Sequence, residues 1–384
     1  MSLTGLSGFC TLQAEGGTEM ATQTVLRTVS SAPKKKLVRR AAPDRSQRIR
    51  HTAQWAFMAL NVWIGVQFYI WVRYFERGGH GLYLPRPAGV EGWLPIAGLM
   101  NTKYFFSTGH VPLMHPAAMF LFMAFVLMSL LLKKAFCSWL CPVGTISEQL
   151  WKAGRRIFGR NLQLPRWADI PLRGLKYLLL GLFAYVIGVM SADALEGFMY
   201  TPYGVVADVK MLNFFRDISM AAAIVLIVFV FLSLLVKNFW CRYLCPYGAL
   251  MGLASLFSPV KIRRDPEACI DCAKCAHACP AGMPVDRLIQ VRSLECSACM
   301  ECVAACPAEN ALQLALPPRR SAATTASRWA KRSAGPLIVA AVLAYIFFGM
   351  VLLGRATSRW QTNIPRDMYM HLVPHANQVT HPGM

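Results

Sequence analysis

A chain of 384 residues has room for two or three soluble domains, but 55% hydrophobic and only 15% charged residues argue against that division. Lysine and arginine total 40 against 19 acidic residues, a net charge of +21. That excess lies in blocks between long apolar stretches, so it reads as a membrane-topology signal and excludes nucleic acid as the partner.

Residues 1–50 read as a disordered, basic, cytoplasmic leader with a lone Cys10, and Met20 is an alternative start. No cleavable signal is visible, because the first apolar stretch begins near residue 52 and is too long. Crossing a bilayer takes about 20 apolar residues. Five stretches meet that need, at 52–72, 111–132, 175–192, 218–236 and 333–354, with Lys176 snorkelling at the edge of the third. Nine basic residues precede the first span, nine lie from 133 to 176 and thirteen from 237 to 332, against four, two and three in the alternate loops. The positive-inside rule places the N-terminus and the 237–332 segment in the cytoplasm and the C-terminus outside. The predicted organisation is a membrane domain over 51–262, a cytoplasmic module over 263–316, a linker over 317–332, the fifth span, and an outer tail over 355–384.

The membrane domain is internally duplicated. Cys137-Ser138-Trp139-Leu140-Cys141-Pro142-Val143-Gly144 matches Cys241-Arg242-Tyr243-Leu244-Cys245-Pro246-Tyr247-Gly248, 104 residues later, and each copy follows an apolar span. Lys133, Lys134 and Lys237 mark the cytoplasmic edge. Cysteines four apart share a helix face, and the proline favours starting a new helix at its own position. Helix N-termini and nearby cations there are expected to lower the thiol pKa values. If the copies face each other about a pseudo-twofold axis, four thiolates converge, suited to a third metal or cluster or to reversible thiol chemistry. The plainer reading is two tight corners with small buried cysteines.

Further on, Cys269-x2-Cys272-x2-Cys275-x3-Cys279-Pro280 is repeated 27 residues later as Cys296-x2-Cys299-x2-Cys302-x3-Cys306-Pro307. This is the two-cluster ferredoxin pattern, in which the fourth cysteine of each run serves the other run's [4Fe-4S] cluster. Cluster one takes Cys269, Cys272, Cys275 and Cys306, and cluster two takes Cys296, Cys299, Cys302 and Cys279. Paired zinc knuckles lack the third cysteine and the x3-Cys-Pro ending, so zinc is the weaker reading.

On the outer face, His110 and His115 lie where the chain re-enters the membrane, and Glu196 lies in the acidic second outer loop. All three suit proton acceptance from a quinol, with hydrogen-bonded interfacial histidines as the plainer alternative. His371, His375 and His381 in the tail, near Met368 and Met370, suit copper, although an outer docking segment is the first reading of this irregular spacing.

The paired Cys-x3-Cys-Pro motifs, the four preceding spans and the double ferredoxin run, together covering roughly 52–316, resemble the NapH/NosR/CcoG group of membrane polyferredoxins, closest to its short five-span members. The resemblance implies electron transfer between the quinone pool, or another membrane donor, and a periplasmic or membrane oxidoreductase. It also implies two [4Fe-4S] clusters on the eight ferredoxin cysteines, redox relevance for Cys137, Cys141, Cys241 and Cys245, and residence in the bacterial inner membrane. The expected fold is an all-α polytopic membrane protein of about five spans with a small cytoplasmic α+β ferredoxin module. The expected function is quinol-linked electron transfer. Copper reduction for assembly of a respiratory enzyme and iron–sulfur redox sensing are the alternatives.

Overall fold

The computed structural model describes residues 38–40, 44–162, 164–316 and 335–382. Most of the expected leader and all of the expected linker lie outside the described residues. Eleven helices of seven or more residues can be numbered among them: α1 Ser46–Glu76, α2 Pro95–Thr108, α3 Pro116–Leu132, α4 Pro142–Phe158, α5 Arg166–Val189, α6 Ala192–Tyr200, α7 Ala207–Arg216, α8 Met220–Leu235, α9 Pro246–Ala254, α10 Pro336–Ala356 and α11 Arg366–Leu372. Strands β1 (Lys261–Arg264) and β2 (Leu312–Ala315) pair antiparallel, Lys261 opposite Ala315 and Arg264 opposite Leu312. Strand β1 thus begins two residues ahead of the boundary expected at 263.

Helices α1, α5 and α10 are long and apolar enough to cross a membrane, and α7 with α8 form a pair bent by 81°. Their outward faces carry Val62, Trp63, Leu178, Leu182, Ile227, Phe231, Tyr345 and Leu352, all exposed in the isolated chain. Exposed apolar surface on this scale needs a lipid cover. Helix α3 differs. It has 17 residues, its start set by Pro116 behind a left-handed His115. Proline is pre-organised for that first helical position, which is why the expected stretch at 111–132 begins its helix late. Residues on every side of α3 are buried, including Ala117, Met119, Phe120, Ala124, Phe125 and Met128, so it is the centre of the bundle and not its rim.

The ferredoxin module folds by local geometry. Asp271 and Ala273 flank Cys272 with positive φ, and Ala298 and Met300 flank Cys299 in the same way. Left-handed residues on both sides of the middle cysteine curl each loop round one centre, and the 27-residue repeat of sequence is thus also a repeat of backbone. The leader is pinned here at one point: Arg39 bridges to Ala308, and the Arg40 amide donates to the Pro307 carbonyl at 3.2 Å. Residues 46–50, expected in the disordered leader, form the first turns of α1.

Three lysines depart from expectation. Lys133 and Lys134 are buried against the module, Lys133 reaching the Ser293 carbonyl and Lys134 the Glu295 carboxylate at 3.7 Å. Lys176 is fully buried and pairs with Glu295 at 2.6 Å, so it does not snorkel. A charge on an apolar helix is retained because a carboxylate from a distant loop meets it.

Candidate functional site

Each Cys-x3-Cys-Pro motif turns a corner into a new helix. Pro142 opens α4 and Pro246 opens α9, so the free amides of each first turn point back at the second cysteine of the motif. The Gly248 amide donates to Cys245 Sγ at 3.2 Å, while the first-turn amides of Val143 and Gly144 lie near Cys141 without a hydrogen bond to its sulfur. Gly144 leaves no room for a side chain, because a Cβ there would collide with the Cys137 carbonyl oxygen, whereas at Gly248 the nearest atom, the Cys241 carbonyl oxygen, is 3.6 Å away. Gly144→Ala is therefore expected to lower the thermal midpoint of the solubilised protein clearly and Gly248→Ala hardly at all. Equal midpoints for the two variants would refute this account of the corner.

The two corners face one another. Cys137, Cys141, Cys241 and Cys245 are close enough to act on one another electrostatically, and all four line one cavity of about 1050 Å³. The expected lowering of thiol pKa is reversed. Burial pushes Cys137 up to about 11 and Cys141 up to about 12, outweighing the charge of Lys134 beside the one and the helix amides at the other.

Among the described residues, the one set of three His, Cys or carboxylate donors within 4.8 Å of one another is His51, Glu148 and Glu301. No three of the corner or module cysteine sulfurs meet that limit, whereas sulfurs around a tetrahedral zinc with 2.3 Å bonds lie about 3.8 Å apart. The His51 set is itself already neutralised: Arg50 spans Glu148 at 2.5 and 2.7 Å and Glu301 at 2.9 Å, and Lys152 pairs with Glu148. Against the burial that would raise it, Arg50 holds the Glu148 carboxyl down at about 2. This is an ion-pair junction between α1, α4 and the module.

In the module the runs interleave. Cys306 lies beside Cys269, Cys272 and Cys275, while Cys279 lies beside Cys296, Cys299 and Cys302. The second loop docks on the first corner: Ser138 Oγ donates to the Ser297 carbonyl at 2.5 Å and Trp139 Nε1 to that of Ala298 at 3.1 Å. The second corner holds the end of the first run, Arg242 reaching the Pro280 carbonyl at 3.3 Å. Arg242 and Tyr243 otherwise bind Asp169, not the cysteines they flank. Between corners and module lies a second cavity, about 70 Å³, bordered by Cys137, Cys241 and Cys299. Cys272, by contrast, is exposed.

At its far end the large cavity meets Arg86. Arg86 donates to Asp208 at 2.6 Å and to Glu91 at 2.7 Å, and its second amino group lies 3.3 Å from His115 Nδ1. His115 is buried, with Nε2 2.8 Å from the Gly204 carbonyl oxygen. Despite its burial, Glu91 is held down at about 2 by the Arg86 charge and by His115. His110 and Glu196 are exposed, Glu196 accepting from the Tyr104 hydroxyl at 3.1 Å. None of His110, His115 and Glu196 lines the cavity, and His115 reaches it only through Arg86. The reason is the packing of the 310 turn at Ala88–Trp93, which puts Glu91 beneath α3 and its Pro87 and Trp93 on the cavity wall.

The tail packs over this end. Trp360 and Gln361 line the cavity and Thr362 Oγ1 donates to Glu91 at 2.8 Å. Lys210 Nζ holds the carbonyls of Ala376 and Val379. The three tail histidines do not converge: His375 turns to the His371 carbonyl, and His381 packs against Phe198 and Tyr203. Sequence reasoning missed Arg86, Glu91 and Glu295, and placed Asp208 only as one of the acidic residues of the second outer loop. Arg86 and Asp208 are 122 residues apart, and Lys176 and Glu295 are 119 apart, so neither pairing leaves a local signal.

Cysteines grouped for cluster ligation on a lipid-faced helical bundle define a ferredoxin-type membrane protein. Comparison with known proteins gives the family. A model described as a 4Fe-4S binding domain matches twice, at residues 114–161 and 218–265, and one described as a 4Fe-4S dicluster domain matches 261–307. YccM of Escherichia coli K12, which is assigned to electron transport, is 49% identical over 334 residues, 86% of this chain and 91% of its own. The ferredoxin-type protein NapH of the same organism is 28% identical over 189 residues, 49% of this chain and 61% of its own. The methylamine utilization ferredoxin-type protein MauN of Paracoccus denitrificans is 27% identical over 149 residues, 38% of this chain and 48% of its own. No solved structure matches. The chain belongs to the NapH/NosR-type family of ferredoxin-type membrane electron-transport proteins.

Proposed function

We propose that the chain carries electrons between a quinone in the large cavity and an oxidoreductase system served from the periplasmic side. The observation that supports this reading is one continuous apolar cavity. Its floor is the four corner cysteines, and the second cysteine set of the module lies directly behind that floor. A volume of about 1050 Å³ is at the upper end of ordinary ligand pockets and suits a ring with part of an isoprenoid tail.

Cys269, Cys272, Cys275 and Cys306 hold one [4Fe-4S] cluster, Cys296, Cys299, Cys302 and Cys279 a second, and Cys137, Cys141, Cys241 and Cys245 a third. When bound, such clusters supply one-electron storage. The residues around them supply the rest. Lys134 places its charge beside Cys137, Cys241 and Cys245 while pairing with Glu295, next to Cys296, so one cation offsets thiolate charge at two sites. At the outer end, His115 is the group able to take up a proton, while Arg86 stays protonated and holds His115 and Glu91 in place. In this reading α1, α3, α5, α8 and α10 cross the bacterial inner membrane with the module in the cytoplasm. Helix α3 spans only about 25 Å at 1.5 Å per residue, and the helices around it shield its ends from lipid. The copper alternative gains nothing from the tail, where the histidines stand apart.

The test is anaerobic. Protein in liposomes, its clusters chemically reduced, is expected to recover oxidised-cluster absorbance when a short-chain ubiquinone is added. Clusters that stay reduced in both ubiquinone and menaquinone analogues would overturn the reading.

A further inference from the structure

The cavity wall is apolar apart from a few groups; at its outer end Arg355 and Gln361 are exposed, and Asn61, Gln67 and Arg86 are already committed. Asn61 accepts from Trp93 Nε1 at 3.1 Å and donates to the Phe57 carbonyl at 2.8 Å. Gln67 donates to the Pro85 carbonyl at 2.9 Å, and Arg86 is held by Asp208 and Glu91. At the cysteine end the situation is different. Tyr247 lines the cavity beside Cys137, Cys141 and Cys245, and its hydroxyl makes no hydrogen bond to any described residue. Its ring is fixed by aromatic neighbours: Phe136 and Phe125 edge-on at 6.3 and 6.4 Å between centroids, and Phe122 tilted at 5.8 Å. A clamped ring cannot swing its hydroxyl elsewhere, and an unmet polar group in an apolar site is costly unless something in the site meets it.

The repeat sharpens the point. Val143 is the counterpart of Tyr247 in the first copy, and it lines the same cavity. The pseudo-twofold arrangement therefore carries a polar atom on one side only, which orients an occupant one way round. A phenol is protonated at neutral pH and donates one hydrogen bond. Its partner is an acceptor oxygen on a flat, otherwise apolar body, with the rest of the cavity open for an apolar tail running towards Ile96 and Trp63, which are exposed on the bundle's flank.

We propose that Tyr247 donates a hydrogen bond to a carbonyl oxygen of a quinone ring seated against the four corner cysteines, with the tail directed towards the outer flank. This rests on the quinone reading above and adds to it which end of the cavity the ring occupies and which residue orients it. The assignment places the ring where an electron has the shortest path to the cysteines.

Tyr247→Phe removes the hydroxyl and keeps the ring in its aromatic packing. In the full chain, with cluster absorbance monitored as the check on folding, binding of a short-chain ubiquinone is read by quenching of the tryptophans that line the cavity, Trp63, Trp93, Trp240 and Trp360. The expected result is about tenfold weaker quinone binding, the worth of one hydrogen bond near the upper end of the usual range. An alkylbenzene of matched size, lacking carbonyls, is expected to bind wild type and variant alike. Wild-type affinity for quinone in the Tyr247→Phe protein overturns the assignment while leaving the quinone reading intact. Absence of saturable quenching in the wild type overturns both. Tyr247→Leu serves as a second variant: if it loads its clusters, it must weaken quinone binding at least as much.

Discussion

Replacing Cys141 with serine is expected to lower iron from about twelve to about eight atoms per chain, four being the content of one cubane cluster. Cys141 sits at the start of α4, and it shares its cavity with three other cysteines from two corners. Burial keeps these groups protonated when nothing is bound, Cys141 at about 12. In the proposed reading, a metal centre bound there takes the place of those protons. The eight module cysteines belong to separate loops, so the remaining iron should keep its spectrum. The complementary variant, Cys275→Ser, should lose module iron and leave the corner site loaded. Unchanged iron in Cys141→Ser would eliminate the third cluster and return the corners to a purely structural role.

Arg86→Met is expected to cost about 3–5 kcal/mol, the usual result of removing one partner from a buried ion pair. Here the loss is compounded, because both Glu91 and Asp208 are essentially inaccessible and both depend on the same guanidinium. The effect should appear as a large fall in thermal midpoint in detergent, with quinone-driven reoxidation slowed in whatever protein survives. Adding Glu91→Gln and Asp208→Asn to the same chain removes the stranded charges and should recover much of the midpoint without recovering the rate. If Arg86→Met alone unfolds at the wild-type temperature, the ion cluster is not the stabilising element at the outer end.

Much of the redox chemistry was legible because ligation of a compact centre is a local requirement. Three cysteines at intervals of three residues must wrap one point whatever surrounds them, and the left-handed residues beside Cys272 and Cys299 show how the backbone meets that demand. Three of the five expected spans, α1, α5 and α10, were legible for a similar reason, since the length of a span follows from bilayer thickness, whereas those at 111–132 and 218–236 fold as shorter helices of 17 and 16 residues. Charge was harder. Lys133, Lys134 and Lys176 stand at the ends of apolar stretches and look like water-facing anchors, yet each is buried against the module. His110 and His115 look equivalent at five residues' separation; one is exposed, and the other is locked beneath α3 by Arg86, Glu91 and Gly204. The tail histidines, irregularly spaced, read first as part of a docking segment and second as a copper site, and His375 and His381 take separate partners in the fold.

By itself, then, the sequence determined the two cysteine runs of the 4Fe-4S dicluster match, the internal duplication and three of the five expected membrane-crossing helices, because each depends on spacing along one stretch of chain. Only the tertiary structure decided that the two corners share a cavity, that the second ferredoxin loop lies behind them, and that Arg86 closes the other end. Those relations join residues about a hundred or more positions apart, and they follow from which faces of the helices pack and which buried charges must find partners, quantities that no local pattern carries.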